Sequence, residues 1–276
     1  MLFHGMINTY ELPIKGNGVL LMPTTKKPLK VRQIERMKEK EYSKTYLQRK
    51  QERQEEPNNY PLTRLILIKD FFRTPDLYKA IGFFFSIQII IAVIAAGVNH
   101  PKYAGALNLL AIILGIVIVT LSIRTINRRQ RLDPTRRKFK LSRVLFITTV
   151  MLIALFLVTY FYSLIGITMS AQPNQMSLNL LFTIYPVAMV FTVLFVSPII
   201  EELVFRELLP FATGPSYLSF VIASLIFIAL HAPYGIMGWT SYGILAAGFL
   251  YARLKDNNVY TAIAVHMIWN ALALIV

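Results

Sequence analysis

Apolar side chains in this chain are gathered into long runs, at about 78–97, 104–123, 144–166, 179–208, 216–232, 236–252 and 259–275. A helix that crosses a bilayer needs about 20 apolar residues, and a helix satisfies its backbone polar groups without water. The pattern predicts an all-α fold, a polytopic membrane helix bundle of about seven transmembrane segments. The run 179–208 is too long for one simple span and contains Pro186 and Pro198. Proline removes a backbone donor and kinks a helix, so this run is expected to form two helical pieces.

Before the first run the pattern is polar. Residues 1–76 form a hydrophilic, basic N-terminal extension, broken early by Pro13, Gly16, Gly18, Pro23 and Pro28. Its segment 32–56 mixes both signs of charge with few large apolar residues. That composition suits a solvated or surface-lying helix better than a packed domain. Residues 77–276 make up the bundle. Residues 1–22 lack a basic stretch followed by an apolar core, so no secretory signal is expected there.

Charge changes the picture next. The formal net charge is +15, and 26 of the 29 Lys and Arg lie at or before residue 143. In a soluble protein this would point to nucleic acid. Here positive-inside topology and anionic lipid headgroups account for it, and no nucleic acid partner is expected. The stretch 124–143 carries nine Lys or Arg and one Asp, which predicts a cytoplasmic loop. The basic extension, two spans earlier, is then also cytoplasmic in a multi-pass cell-membrane protein. Anionic lipids are the expected partners of both stretches. The chain has no cysteine, which excludes disulfides, thiolate metal sites and a Cys nucleophile.

Against this background Glu201 and Glu202 are out of place. Only five acidic residues follow residue 76, and three are Glu201, Glu202 and Glu207. Ionisable groups inside a membrane are costly and mark functional sites by default. Adjacent helical residues point about 100° apart, so the two glutamates take different roles. Glu202 and Arg206 are four apart and share a face, which reads as a buried ion pair. Glu201 is then free for chemistry as a partly desolvated base. Glu207 is expected at the membrane interface. His231 closes one apolar run, and His266 and Asn270 share a face of another at i,i+4 spacing. Either histidine alone could be an interhelical packing group; with Glu201 they form one set of acid, imidazoles and amide. Tyr234, Trp239 and Tyr242 read as interfacial aromatics. Gly243, Ala246, Ala247 and Gly248 read as small packing residues. The topology leaves one tension. Simple counting puts His231 near the outer end of its span and Glu201 near the cytoplasmic end of its own, some 10–15 Å apart in depth.

The blocks EELVFR (201–206), FIALH (227–231) and HMIWN (266–270) resemble, in order and spacing, the E-E-x-x-x-R, F-x-x-x-H and H-x-x-x-N motifs of the CPBP intramembrane proteases. These are the CAAX proteases and bacteriocin-processing, or Abi, proteins. The resemblance covers about residues 140–276 and leaves the extension outside. It implies an intramembrane endopeptidase in which Glu201 activates a water. His231, His266 and Asn270 would bind that water or stabilise the oxyanion, and Glu202 and Arg206 complete the motif. Family members are described both as metalloproteases and as glutamate proteases. For the metal case, Glu201, His231 and His266 would supply three zinc ligands with water in the fourth place. The implied substrate is a lipidated or membrane-associated peptide or protein, as in CAAX-like processing, peptide-signal maturation or bacteriocin immunity. Two other classes fit the residues: a non-catalytic membrane scaffold that keeps the fold, and a proton-coupled transporter. No H-E-x-x-H, G-x-S-x-G or Walker A motif is present, which excludes the usual zincin, serine-hydrolase and ATPase sites.

Overall fold

The computed structural model describes residues 71–131, 133, 137–167 and 172–275. The chain divides into two units, Met1–Glu52 and Arg53–Val276, and the described residues lie in the second. The charged segment expected at 32–56 lies outside them.

Every element among the described residues is helical. We number the helices α1 (Pro75–Asn99), α2 (Ala104–Arg131), α3 (Leu141–Leu164), α4 (Pro173–Ile184), α5 (Pro186–Ala212), α6 (Tyr217–Leu230), α7 (Gly235–Asp256) and α8 (Val259–Ala273). Four helical stretches are long and apolar enough to cross a bilayer: α1, α2 with its leading turn at Pro101–Tyr103, α3 and α5. α6 and α8 are apolar but only 14 and 15 residues long, about 21–23 Å. Outward faces of the long helices are apolar, as at Phe85, Ile113, Phe146 and Phe156, all exposed. A surface of that kind is stable against lipid rather than water.

The expected break in 179–208 occurs at Tyr185-Pro186, where Pro186 opens a new helix. Pro198 causes no break. It follows a π-helical turn at Thr192–Val196, and Pro210 likewise follows a π turn at Val204–Leu208. A proline leaves a carbonyl one turn back without a donor. A π turn redistributes those bonds by one residue, so α5 continues through both prolines.

α5 is the most enclosed of the long helices, with more than half of its apolar stretch buried. Ile200, Leu203 and Leu208 are fully buried there, beside Glu202 and Arg206. Around α5 the packing depends on close approach. A Cβ on Gly115 would lie 2.7 Å from the Phe191 ring, and one on Gly248 would lie 2.2 Å from Met151 Sδ. The packing reading therefore holds for Gly248, and for Ala246, which is buried. It fails for Gly243, whose Cβ would meet nothing within 4 Å.

Candidate active site

The depth tension disappears once the ends of α5 and α6 are fixed. The sequence pattern ends the fourth run at 208, but α5 continues to Ala212. Glu201 is thus eleven residues, or about 16 Å, from the lower end of its helix. The chain turns at 213–216, where the Ser216 side chain caps α6 by accepting from Ser219 N at 3.1 Å. α6 then climbs about 21 Å and stops at Leu230. His231 therefore arrives at the level of Glu201, because α6 is too short to reach the far side.

α8 is brought alongside by a tight turn. Asn257 closes α7 at φ 47°, and Asn258 caps α8 by accepting from Tyr260 N at 3.0 Å. Asparagine tolerates the left-handed conformation better than most residues. α8 also packs on α5, α3 and α7, which directs His266 and Asn270 inward.

Three of the sequence-selected side chains meet. Glu201 Oε2 lies 3.9 Å from His231 Nε2 and 3.9 Å from His266 Nε2. Each ring is held from its other nitrogen. His231 Nδ1 is 2.7 Å from the Phe227 carbonyl. A carbonyl only accepts, so Nδ1 carries the hydrogen and the neutral ring presents its Nε2 lone pair. His266 Nδ1 is 3.0 Å from Glu202 Oε1. Phe249 stacks on His266 at 4.3 Å, and Tyr242 packs on His231 at 5.0 Å.

Glu202 and Arg206 form the expected pair, with Arg206 Nε 3.5 Å from Glu202 Oε2 and both side chains fully buried. The guanidinium also lies 4.9 Å over the Phe227 ring and donates to the Ala246 carbonyl at 3.5 Å. Glu202 thus does two things. It neutralises Arg206 and orients His266, a role that helical spacing does not reveal because the two residues are 64 apart. Phe227 likewise serves twice: its carbonyl fixes His231 and its ring receives Arg206.

Glu201, His231 and His266 line a cavity of about 510 Å³ between α1, α4, α5, α6, α7 and α8, and the fully buried Glu202 and Arg206 are not part of its lining. Glu201, His231, His266 and Asn270 form one wall. Asn270 shares that wall, but its Nδ2 donates to the Val193 carbonyl in the first π turn of α5, at 2.9 Å. It therefore tethers α8 to α5 beside the site.

Two placements differ from the sequence expectation. Glu207 is buried rather than interfacial. Its Oε2 accepts from Arg253 Nη2 at 2.8 Å and Nε at 3.0 Å, and its Oε1 accepts from Arg129 Nε at 3.4 Å. Two cations on distant helices compensate the buried carboxylate, a pairing that local spacing cannot show. Tyr242 lines the cavity, while Tyr234 and Trp239 are exposed.

A zinc ion needs three protein ligands about 2.0–2.2 Å from one point. Among the described residues no group of three His, Cys, Asp or Glu is placed to hold a metal ion. As they stand, Glu201, His231 and His266 do not make such a group.

A helical membrane bundle with a carboxylate and two oriented imidazoles on one cavity wall is the class of protein that fold and site define. Residues 183–272 match the family model of the type II CAAX prenyl endopeptidase Rce1-like proteins, a protease family. That segment holds all three sequence blocks, and over it the CPBP/Abi resemblance holds. The UPF0177 protein YvdC of Lactococcus lactis subsp. lactis is 30% identical over 129 residues, 44% of this chain and 49% of that protein. The chain spans about half the length of this curated relative. No solved structure matches the chain.

Proposed function

We propose that the protein is an intramembrane endopeptidase that hydrolyses a peptide bond with a water activated by Glu201. The observation that carries this reading is the convergence of His231 Nε2 and His266 Nε2 on the one Glu201 oxygen, which has no hydrogen-bond partner among the described residues. Two acceptor atoms, Glu201 Oε2 and His231 Nε2, facing one point call for a molecule with protons to give, and a water serves. Glu201 takes one proton as the water oxygen attacks the scissile carbonyl. Negative charge then develops on the carbonyl oxygen. A protonated His266, held by Glu202, donates from Nε2 to that oxygen. The proton on Glu201 passes to the leaving amine. His231, fixed by the Phe227 carbonyl, keeps the water in line. The low-dielectric surroundings strengthen each of these interactions.

The substrate in this reading is a lipidated or membrane-associated peptide, suited to a cavity with apolar walls. The basic stretch 124–143 contacts anionic headgroups and holds the bundle at the cytoplasmic surface.

The test is proteolysis by purified protein in detergent on a peptide library, comparing wild type with Glu201→Ala and His231→Ala, with and without chelator. Cleavage by wild type alone supports the reading. Equal cleavage by Glu201→Ala removes it, and wild-type activity lost with chelator and restored by zinc assigns the water to a metal instead. A scaffold would keep its cellular phenotype in Glu201→Ala, and a transporter would show proton-coupled flux without hydrolysis.

A further inference from the structure

We infer that Gln88 is a substrate-positioning residue, whose amide pairs with the backbone of an extended, apolar peptide lying across the cavity. The inference rests on the hydrolase reading for its chemistry, but Gln88 lies on α1, outside the segment 183–272 that matches the protease family.

α1 is a 25-residue span with high mean hydropathy. Within its apolar run FFFSIQIIIAVIAA, Gln88 is the one amide. A polar side chain at mid-span is costly and points to a functional face. The bland alternative is an interhelical hydrogen bond. Against it, Gln88 makes no hydrogen bond with any described residue and is exposed rather than buried. It lines the cavity that holds Glu201, His231 and His266. Phe84, Ile87 and Ile91 line it too, four and one residues before Gln88 and three after. These positions make one helical face, apolar except for a single amide.

Glu201, His231 and His266 contribute the reacting groups, whereas α1 contributes none. What α1 offers is grip. Its apolar side chains, with Leu178 and Phe182 of α4, accept apolar side chains of a peptide. The Gln88 amide has one carbonyl to accept from a peptide N–H and an NH₂ group to donate to a peptide carbonyl. That pairing suits any extended strand, whatever its sequence, and fixes the strand's register against Glu201.

The probe is a set of internally quenched decapeptides of Leu, Val, Ala and Phe, each also made with single backbone amides replaced by esters. An ester removes one N–H donor. With wild type, an ester at one position should raise KM about five- to tenfold, the worth of one hydrogen bond. Gln88→Leu should raise KM of the all-amide peptide by a similar factor, with kcat within twofold and no further response to that ester. Gln88→Asn should recover part of the loss. An apolar residue at mid-span should leave the melting temperature unchanged or higher. An unchanged KM in folded Gln88→Leu protein, or an ester effect that persists in it, overturns the inference. A lowered melting temperature with unchanged KM also overturns it and marks Gln88 as packing. If wild type cleaves none of the peptides, the hydrolase reading fails separately. Anisotropy binding of the same peptides to Glu201→Gln protein then decides: Kd raised five- to tenfold by Gln88→Leu supports the inference, and an unchanged Kd overturns it.

Discussion

At the residue scale the adjacent glutamates separate cleanly by what surrounds them. Glu202 is fully buried, paired with Arg206 and bonded to His266. Glu201 is partly exposed to the cavity, and its Oε2 has no hydrogen bond. Their substitutions should therefore behave oppositely in stability. Glu201→Gln should cost at least about a hundredfold in kcat, the lower end for removing a general base. Its melting temperature should match or exceed that of wild type, because it removes a charge from a carboxylate oxygen that has no hydrogen bond. Glu202→Gln should lose activity and stability together. It leaves the buried Arg206 unpaired, a defect of about 3–5 kcal/mol, and it weakens the hold on His266. Thermal melting in detergent alongside kcat checks both. Equal melting temperatures for the two variants would contradict the assignment. The pairing of Glu202 with Arg206 was legible from four-residue spacing. Its bond to His266 was not, because nothing in a one-dimensional pattern states which face of α8 meets α5.

At the element scale the site depends on where helices stop. α6 ends at Leu230, and the chain reverses through His231 and Ala232, the latter at φ 46°. A left-handed conformation costs a residue with a Cβ about 1–2 kcal/mol, and a β-branched residue considerably more. Ala232→Gly should therefore keep activity and slightly raise the melting temperature. Ala232→Val should lower the melting temperature by several degrees and reduce kcat by at least about tenfold, by moving the His231 ring off the Phe227 carbonyl. Circular dichroism melts with the peptide assay distinguish these outcomes. The same scale explains where sequence reading fell short. The apolar runs locate the helices, and Pro186 marks a true helix start. Pro198 and Pro210 look equivalent to it in sequence, yet each is absorbed by a preceding π turn. Reading α5 as ending at 208 displaced Glu201 towards the surface and created the apparent mismatch in depth with His231. Hydrophobicity reports burial in lipid, not the local hydrogen-bond shift that lets a helix pass a proline.

At the scale of the whole bundle, buried and half-buried ion pairs join the described helices at one end, beside the apolar contacts that join them elsewhere. Asp76 at the start of α1 meets Arg129 at the end of α2 at 2.6 Å. Arg129 reaches Glu207 of α5, and Glu207 holds Arg253 of α7. Arg143 of α3 pairs with Asp256 of α7. Within the cluster, Glu207 is six residues, one to two helical turns, along α5 from Glu201. The cluster clamps four separate helices around α5, whereas lipid supplies no hydrophobic force to hold helices together. Glu207 is the shared anion, with both oxygens occupied by guanidinium groups on different helices. Replacing it with Gln should cost about 3–5 kcal/mol, since the buried Arg253 guanidinium loses its two charge-assisted bonds to the carboxylate. Arg129→Met should cost less, because Arg129 is one-fifth exposed and part of its pairing is screened. Because Glu207 lies outside the cavity lining, the surviving folded fraction of Glu207→Gln should retain near-wild-type KM. Unfolding monitored in detergent across a salt series reads the difference: the Glu207→Gln deficit should persist at high salt, where an exposed pair would be screened away. A deficit that vanishes with added salt would mean that Glu207 is a surface group, and the clamp would have to be abandoned.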